Sequence, residues 1–243
     1  MSGGRRNSQL VKKILRTEAL LVRRIPVGEA DLIVTLFTEA KGIVSAVARS
    51  ARRNPKRLVS LEPIHLLRIT LEEREQKDLA VLSEAAIALP RLHLVNSLER
   101  MEAAGRALRW IRAVAPPGTR EPGLFHTVNE LLDTLNDRDT DQTPEMALAT
   151  AGLQMLADMG FGLVLERCVR CGKPCPKEAP GCLDATLGGL ICRACGGARL
   201  IIKSDLRARL ESTIAGDNNA LERDDTRIVL DLVEAVMAAH MPT

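Results

Sequence analysis

The chain is poor in aromatic residues: Phe37, Trp110, Phe125 and Phe161 make up the whole set, and tyrosine is absent. Proteins that grip single strands by stacking bases need exposed aromatic platforms, so any nucleic-acid binding here has to rest on phosphate contacts. No stretch approaches the ~20 consecutive apolar residues of a membrane helix. The N-terminal "MSGGRRNSQLVKK" is basic with no apolar segment behind it, unlike a secretory signal. These two absences lead to the expectation of a cytoplasmic protein. The signatures of common catalytic sites are missing as well. There is no Gly-x-x-x-x-Gly-Lys-Ser/Thr phosphate loop, no Gly-x-Ser-x-Gly and no His-Glu-x-x-His. His65, His93, His126 and His240 are widely spread, and Asp137/Asp139 and Glu72/Glu73 lie in polar runs that read as solvated surface. No active site emerges, and the chain is expected not to be an enzyme.

Charge is unevenly placed. Residues 1–60 hold thirteen Lys/Arg and four acids, an excess of nine positive charges, whereas the whole chain nets only +3. A basic N-terminal part suits a polyanionic partner. Its densest portion is "RSARRNPKR", where Arg49, Arg52, Arg53, Lys56 and Arg57 follow one another with no acid between them. Arg5, Arg6, Lys12, Lys13 and Arg16 form a second cluster. Five phosphate contacts would give a log–log salt slope of about −3.5 to −4.5; the plainer reading is a solvated turn.

Periodicity predicts strands at 14–24, 31–37, 43–48, 64–71 and 78–87, with "IPVG" (25–28) as a turn and 31–48 as a hairpin whose Gly42 takes positive φ. Apolar residues on both faces of 31–37 predict burial on both sides. Five short strands suggest a small barrel of the oligonucleotide-binding type. After Pro90 the pattern turns helical. Asn96 with Glu99 predicts a capped start, and Met101, Ala104, Leu108 and Ile111 an apolar stripe. Further helices are predicted over 123–135, from Thr143–Pro144 to about Gly160, from a Ser204 cap to Gly216, and over 226–240. The fold class is α+β: a five-stranded barrel (1–90), then a helical domain (91–165 and 200–243) with an inserted four-cysteine module (166–199).

Four of the six cysteines sit in a doubled phrase, "CVRCGK" and "CRACGG". Cys168 and Cys171, and again Cys192 and Cys195, have two residues between them, the spacing of a four-cysteine zinc site. Gly172 and Gly196 after each second cysteine suit the tight turns required. Four thiolates fill a zinc's tetrahedron, so one structural zinc is expected, with Arg167, Arg170, Lys173, Arg193 and Arg199 near enough in sequence to offset its charge. Disulfides, a redox Cys-x-x-Cys and an iron–sulfur cluster are the rivals. Cys175 and Cys182 stand outside the repeated phrase and read as spare thiols, though either could replace a neighbour as ligand. The insertion is expected to fold around its metal with almost no apolar core.

The blocks "VGEADLIVTLFTEAKG" (27–42), "VARSARRNPKR" (47–57) and "LEPIHLL" (61–67) resemble the N-terminus of the bacterial RecO family, and "CVRCGK…GGLICRAC" is similar to the zinc-finger region of its zinc-bearing members. The resemblance spans essentially the whole chain. It implies a recombination mediator of the RecF-type pathway that binds single- and double-stranded DNA and anneals complementary strands without ATP. It also implies pairing with RecR, to help load RecA onto DNA coated by the single-strand-binding protein SSB. The two extra cysteines depart from that pattern. Two other classes compete: a zinc-stabilised, sequence-specific DNA- or RNA-binding regulator, which predicts bidentate base contacts, and a metalloenzyme, which predicts an open metal position.

Overall fold

A computed structural model of the chain describes residues 12–54, 61–74 and 79–240. Two compact units emerge: one holds the first five strands plus the excursion Pro116–Arg120, the other runs from Arg91 onward without that excursion.

In the first unit, β1 (Lys12–Val27), β2 (Asp31–Thr38), β3 (Gly42–Ala48), β4 (Leu66–Arg74) and β5 (Ala80–Leu89) close into a barrel in the order β1-β2-β3-β5-β4. Closure depends on the length of β1. Its first half pairs with β4, from Lys12 opposite Arg74 to Ala19 opposite Leu67, and its second half pairs with β2, from Ala19 opposite Thr38 to Val27 opposite Asp31. A short parallel contact, Ala46–Val47 beside Ala80–Val81, joins β3 to β5. This five-stranded arrangement is the oligonucleotide-binding fold. Alternation sets the interior: Leu32, Val34 and Leu36 on β2 meet Val44, Ala46 and Ala48 on β3, with Leu67, Ile69, Leu71 and Leu82 opposite. The alanines leave room for the leucines to fill so narrow a bore.

Several sequence expectations shift here. "IPVG" is not the turn: β1 continues to Val27, and the turn is Gly28–Ala30, with Gly28 at φ +56°. Pro26 is tolerated because this half of β1 has a partner on one side only. On β2, Leu32, Val34 and Leu36 are buried but Ile33 and Thr35 only half so; two-sided burial holds only at its end, where Phe37 and Thr38 are both buried. Gly42 does take positive φ, +61°, and it has a second reason to be glycine: a Cβ there would strike the Thr119 carbonyl oxygen.

The second unit contains α1 (Leu98–Val114), α2 (Pro122–Asn136), α3 (Pro144–Asp158), α4 (Ser204–Ile214) and α5 (Thr226–His240). α3 packs against each of the other four. It is buried nearly all round, as a central helix of small and aliphatic residues must be. Gly152 lets it approach closely, since a Cβ would stand 2.9 Å from Val233 Cγ1. Thr143 caps it as expected, accepting from the Met146 N–H. Two caps differ from expectation. Ser97, not Asn96, caps α1, accepting from the Arg100 N–H, because Asn96 is already spent in a preceding 3-10 turn. Ser204 is the first residue of α4 rather than its cap, and its hydroxyl donates to Asp205. The buried face of α1 is Ala103, Ala104, Ala107, Leu108, Trp110 and Ile111, and Met101, expected within the stripe, is 40% exposed.

Between α3 and α4, β6 (Gly181–Asp184), β7 (Gly189–Leu190) and β8 (Leu200–Ile202) make a small sheet in the order β7-β6-β8. Leu183, Leu190, Ile191 and Ile202 from this segment are all buried. The insertion therefore has apolar anchors beyond its cysteines, contrary to the expectation of almost no core.

Candidate metal centre and nucleic-acid interface

The first cysteine pair is built where the chain leaves α3. Val164 bonds on both sides to the β7 strand and its turn, accepting from the Leu190 N–H (3.0 Å) and donating to the Gly188 carbonyl (2.8 Å). The Val169 N–H then reaches the Leu190 carbonyl at 2.8 Å. From there the knuckle closes: the Gly172 N–H donates to the Cys168 carbonyl (2.9 Å), and the Cys168 N–H to that of Lys173 (2.8 Å). Gly172 sits at φ +72°. The second knuckle follows β7, where the Ile191 N–H bonds to the Cys182 carbonyl on β6. The N–H groups of Cys195 and Gly197 then fold back onto the Cys192 carbonyl, with Gly196 at φ +101°.

These two turns face each other. The sulfurs of Cys168, Cys171, Cys192 and Cys195 all lie within 4.8 Å of one another. Cys171 and Cys192 are 3.7 Å apart at sulfur. A tetrahedron with metal–sulfur bonds of ~2.3 Å has edges of ~3.8 Å, so the donor set fits one zinc ion. The surroundings favour thiolates unevenly. The Cys192 backbone N–H points at the Cys168 sulfur (3.3 Å) and pulls that thiol down to about 6, against its burial. Hydrogen bonds with the sulfurs of Cys192 and Cys171 keep the proton on Cys195 and push it up to about 12. Binding a divalent cation at such a cluster would displace the remaining thiol protons.

Cys175 and Cys182 are not in the cluster. Cys182 lies on β6, and burial pushes the Cys175 thiol up. Cys175 contributes its carbonyl instead: Arg207 of α4, 1% exposed, donates to the carbonyls of Cys175 (3.0 Å) and Pro176 (2.6 Å) while pairing with Glu211 (3.2 Å). Sequence reasoning missed Arg207. In sequence it is one of several arginines in an amphipathic helix, and only packing buries it. Of the five cations near the cysteines, Arg170 reaches the centre itself, donating to the Cys195 carbonyl at 3.2 Å.

The N-terminal cations divide into two places. Arg49, Arg52 and Arg53 are exposed in and beside the short 3-10 turn after β3, against the β1–β2 turn. The Arg52 backbone N–H donates to the Ala30 carbonyl and its guanidinium to that of Gly28 (2.8 Å). Arg53 pairs with Glu29 at 2.9 Å, both well exposed. Such solvent-facing bonds are worth at most ~1 kcal/mol and yield readily to a phosphate. Lys56 and Arg57, like Arg5 and Arg6, lie outside the described residues. Lys12, Lys13 and Arg16 are at the other end of β1, paired with the end of β4, and Lys13 and Arg16 are exposed. Eleven residues of strand, up to ~36 Å of contour, separate Arg16 from the β1–β2 turn. The described members of the two clusters thus lie toward opposite ends of β1. The outward face of β1, β2 and β3 between them presents Ile25, Ile33, Val47, Thr35 and Ser45 with the cation Arg23, and Phe37, in the same register, is buried, so no aromatic ring is exposed there.

A five-stranded oligonucleotide-binding barrel and a helical bundle that carries a four-cysteine, zinc-compatible centre thus lie in one chain. Comparison with known proteins gives the family. The family model described as recombination protein O N terminal matches residues 12–91, and that described as recombination protein O C terminal matches residues 80–241. DNA repair protein RecO of Anaeromyxobacter sp. (strain K) is 32% identical over 184 residues, 74% of this chain and 70% of that one. DNA repair protein RecO of Geobacter metallireducens is 28% identical over 230 residues, 93% of this chain and 92% of that one. The chain belongs to the RecO family, which places it in DNA repair and recombination.

Proposed function

We propose that this protein is a recombination mediator that binds single- and double-stranded DNA and anneals complementary strands without ATP. With RecR it helps load RecA onto SSB-coated single strands in a RecF-type pathway, in the cytoplasm and without an active site of its own. One zinc, held by Cys168, Cys171, Cys192 and Cys195, is structural in this reading, since four thiolates leave no position for water.

The observation that carries the proposal is the barrel rim. It offers Arg49, Arg52 and Arg53 in solvent beside an outward face that presents no exposed aromatic ring among the described residues. Such a surface suits phosphate contacts rather than base stacking. Cations that screen two backbones at once also lower the repulsion between complementary strands. The sequence-specific regulator would instead need bidentate groups aimed at base edges.

The test mixes complementary oligonucleotides, without ATP, with the unaltered protein and with a variant in which Arg49, Arg52, Arg53, Lys56 and Arg57 are changed to Glu. Annealing by the first and its loss in the second is the expected result. Failure of the unaltered protein to anneal would overturn the mediator reading; unchanged annealing by the variant would overturn the loop assignment.

A further inference from the structure

The metal module carries cations that neither the metal centre nor the fold uses. Arg167, Lys173, Arg193 and Arg199 are all exposed. None has a carboxylate partner among the described residues. The barrel loop differs, since Arg53 there is paired with Glu29. Other cations of the module do have inward tasks. Arg170 is bonded to the Cys195 carbonyl, and Lys177 pairs with Glu211.

The four exposed cations flank the two cysteine turns, with Arg199 between the second turn and β8. Arg167 precedes Cys168, Lys173 follows the first knuckle, and Arg193 follows Cys192, while the cysteine sulfurs are within 4.8 Å of one another. Arg167 also bridges to Pro174, next to Lys173. Arg170, reaching from the first knuckle to the second, ties the two halves of the patch. Residues 166–199 contain no aromatic residue. The patch therefore suits a closely spaced row of negative charges rather than bases.

Charge balance for the metal does not account for all four. A zinc–tetrathiolate centre carries a formal charge of about −2; the Cys192 N–H points at the Cys168 sulfur and Arg170 donates to the Cys195 carbonyl beside it. Solvent-exposed cations add little to a neighbouring charge once water and salt screen them, yet are well placed for a phosphate backbone.

We propose that the metal module is a second nucleic-acid contact, in which Arg167, Lys173, Arg193 and Arg199 hold the phosphate backbone of DNA without reading its sequence. This rests on the DNA-binding reading above and adds a surface outside the barrel.

The test changes all four to Gln (R167Q, K173Q, R193Q and R199Q together) in the full chain. Zinc content is measured first, then affinity for a single-stranded oligonucleotide by fluorescence anisotropy across a range of sodium chloride. The variant keeps its zinc, and its log–log salt slope is shallower by about 3, at ~0.7 for each phosphate no longer neutralised. The charge-preserving R167K, R193K and R199K combination keeps the original slope. An unchanged slope in the zinc-loaded Gln variant overturns the proposal, and if the barrel-loop variant fails to bind at the same time, the mediator reading stands. Absence of salt-dependent DNA binding by the unaltered protein would overturn both. Should the Gln variant lose its zinc, acylation of Lys173 in the unaltered protein decides. Protection by the oligonucleotide supports the contact. Full reactivity in its presence, or protection by polyglutamate alone, overturns it.

Discussion

Replacing Cys168 with Ser puts the metal assignment to its sharpest test. Cys168 is 1% exposed, whereas Cys171 is exposed at the surface. Serine keeps the size and the packing but exchanges a soft thiolate for a hydroxyl whose oxygen sits ~0.4 Å closer to Cβ and binds zinc poorly at neutral pH. At Cys171 a water can move in to complete the coordination. At Cys168, only 1% exposed, the surrounding protein leaves solvent little access to do the same. Altering groups that merely support metal ligands costs ~10- to 100-fold in affinity, so losing the buried ligand itself should weaken zinc binding by at least ~100-fold. C171S should fall short of that. C182S, on β6 and outside the cluster, should bind one zinc as the unaltered protein does. Zinc stoichiometry after dialysis and competition against a chromogenic chelator measure all three. Full zinc retention by C168S, or zinc loss in C182S with C168S unaffected, would refute the four-cysteine assignment.

Two further outcomes follow from the fold. Burial alone would raise the Asp225 carboxyl, but the bidentate Arg209 guanidinium (2.6 and 2.8 Å) and the Glu222 N–H outweigh it and hold the pKa below the usual carboxylate range. The stability it contributes is thus fully present above its unfolded value of ~3.9 and is lost as pH falls through the lower folded one. D225N should destabilise by ~1.5–3 kcal/mol in urea unfolding at pH 7, and the gap to the unaltered protein should close in acid; a gap independent of pH would contradict the pairing. Gly42 and Gly118 both take positive φ, but a Cβ at Gly42 would strike the Thr119 carbonyl oxygen, whereas at Gly118 nothing lies within 4 Å. G118A should cost ~1–2 kcal/mol for conformation alone and G42A distinctly more in the same unfolding assay, so equal costs would show the close approach to be unimportant.

Much of the fold was legible in the residues. Strict alternation at Leu32, Val34 and Leu36 placed β2, and Thr143 with Pro144 placed the start of α3. The errors lay where a local signal met a tertiary one. Pro26 reads as a turn residue, yet continues a strand because that stretch of β1 has a neighbour on one side only. Asn96 is a good cap in isolation, but a 3-10 turn claims it and passes the role to Ser97. Met101 keeps helical spacing with Leu108 yet faces solvent, because the direction of the buried face is set by what packs on the helix, not by period alone.

The candidate site divides the same way. Ligand type and spacing are local properties, so Cys168, Cys171, Cys192 and Cys195 could be singled out from the chain itself, and so could the RecO-like order of its motifs. Whether twenty intervening residues return the second pair to the first depends on the β6–β7–β8 sheet, and only the folded chain brings the four sulfurs within 4.8 Å. Charge density in "RSARRNPKR" is likewise a sequence property. That Arg53 meets Glu29, that Lys13 and Arg16 lie at the far end of β1, and that Arg207 is buried against the Cys175 and Pro176 carbonyls are decided by tertiary structure. Composition counts charges; pairing and burial determine which of them remain available to a phosphate.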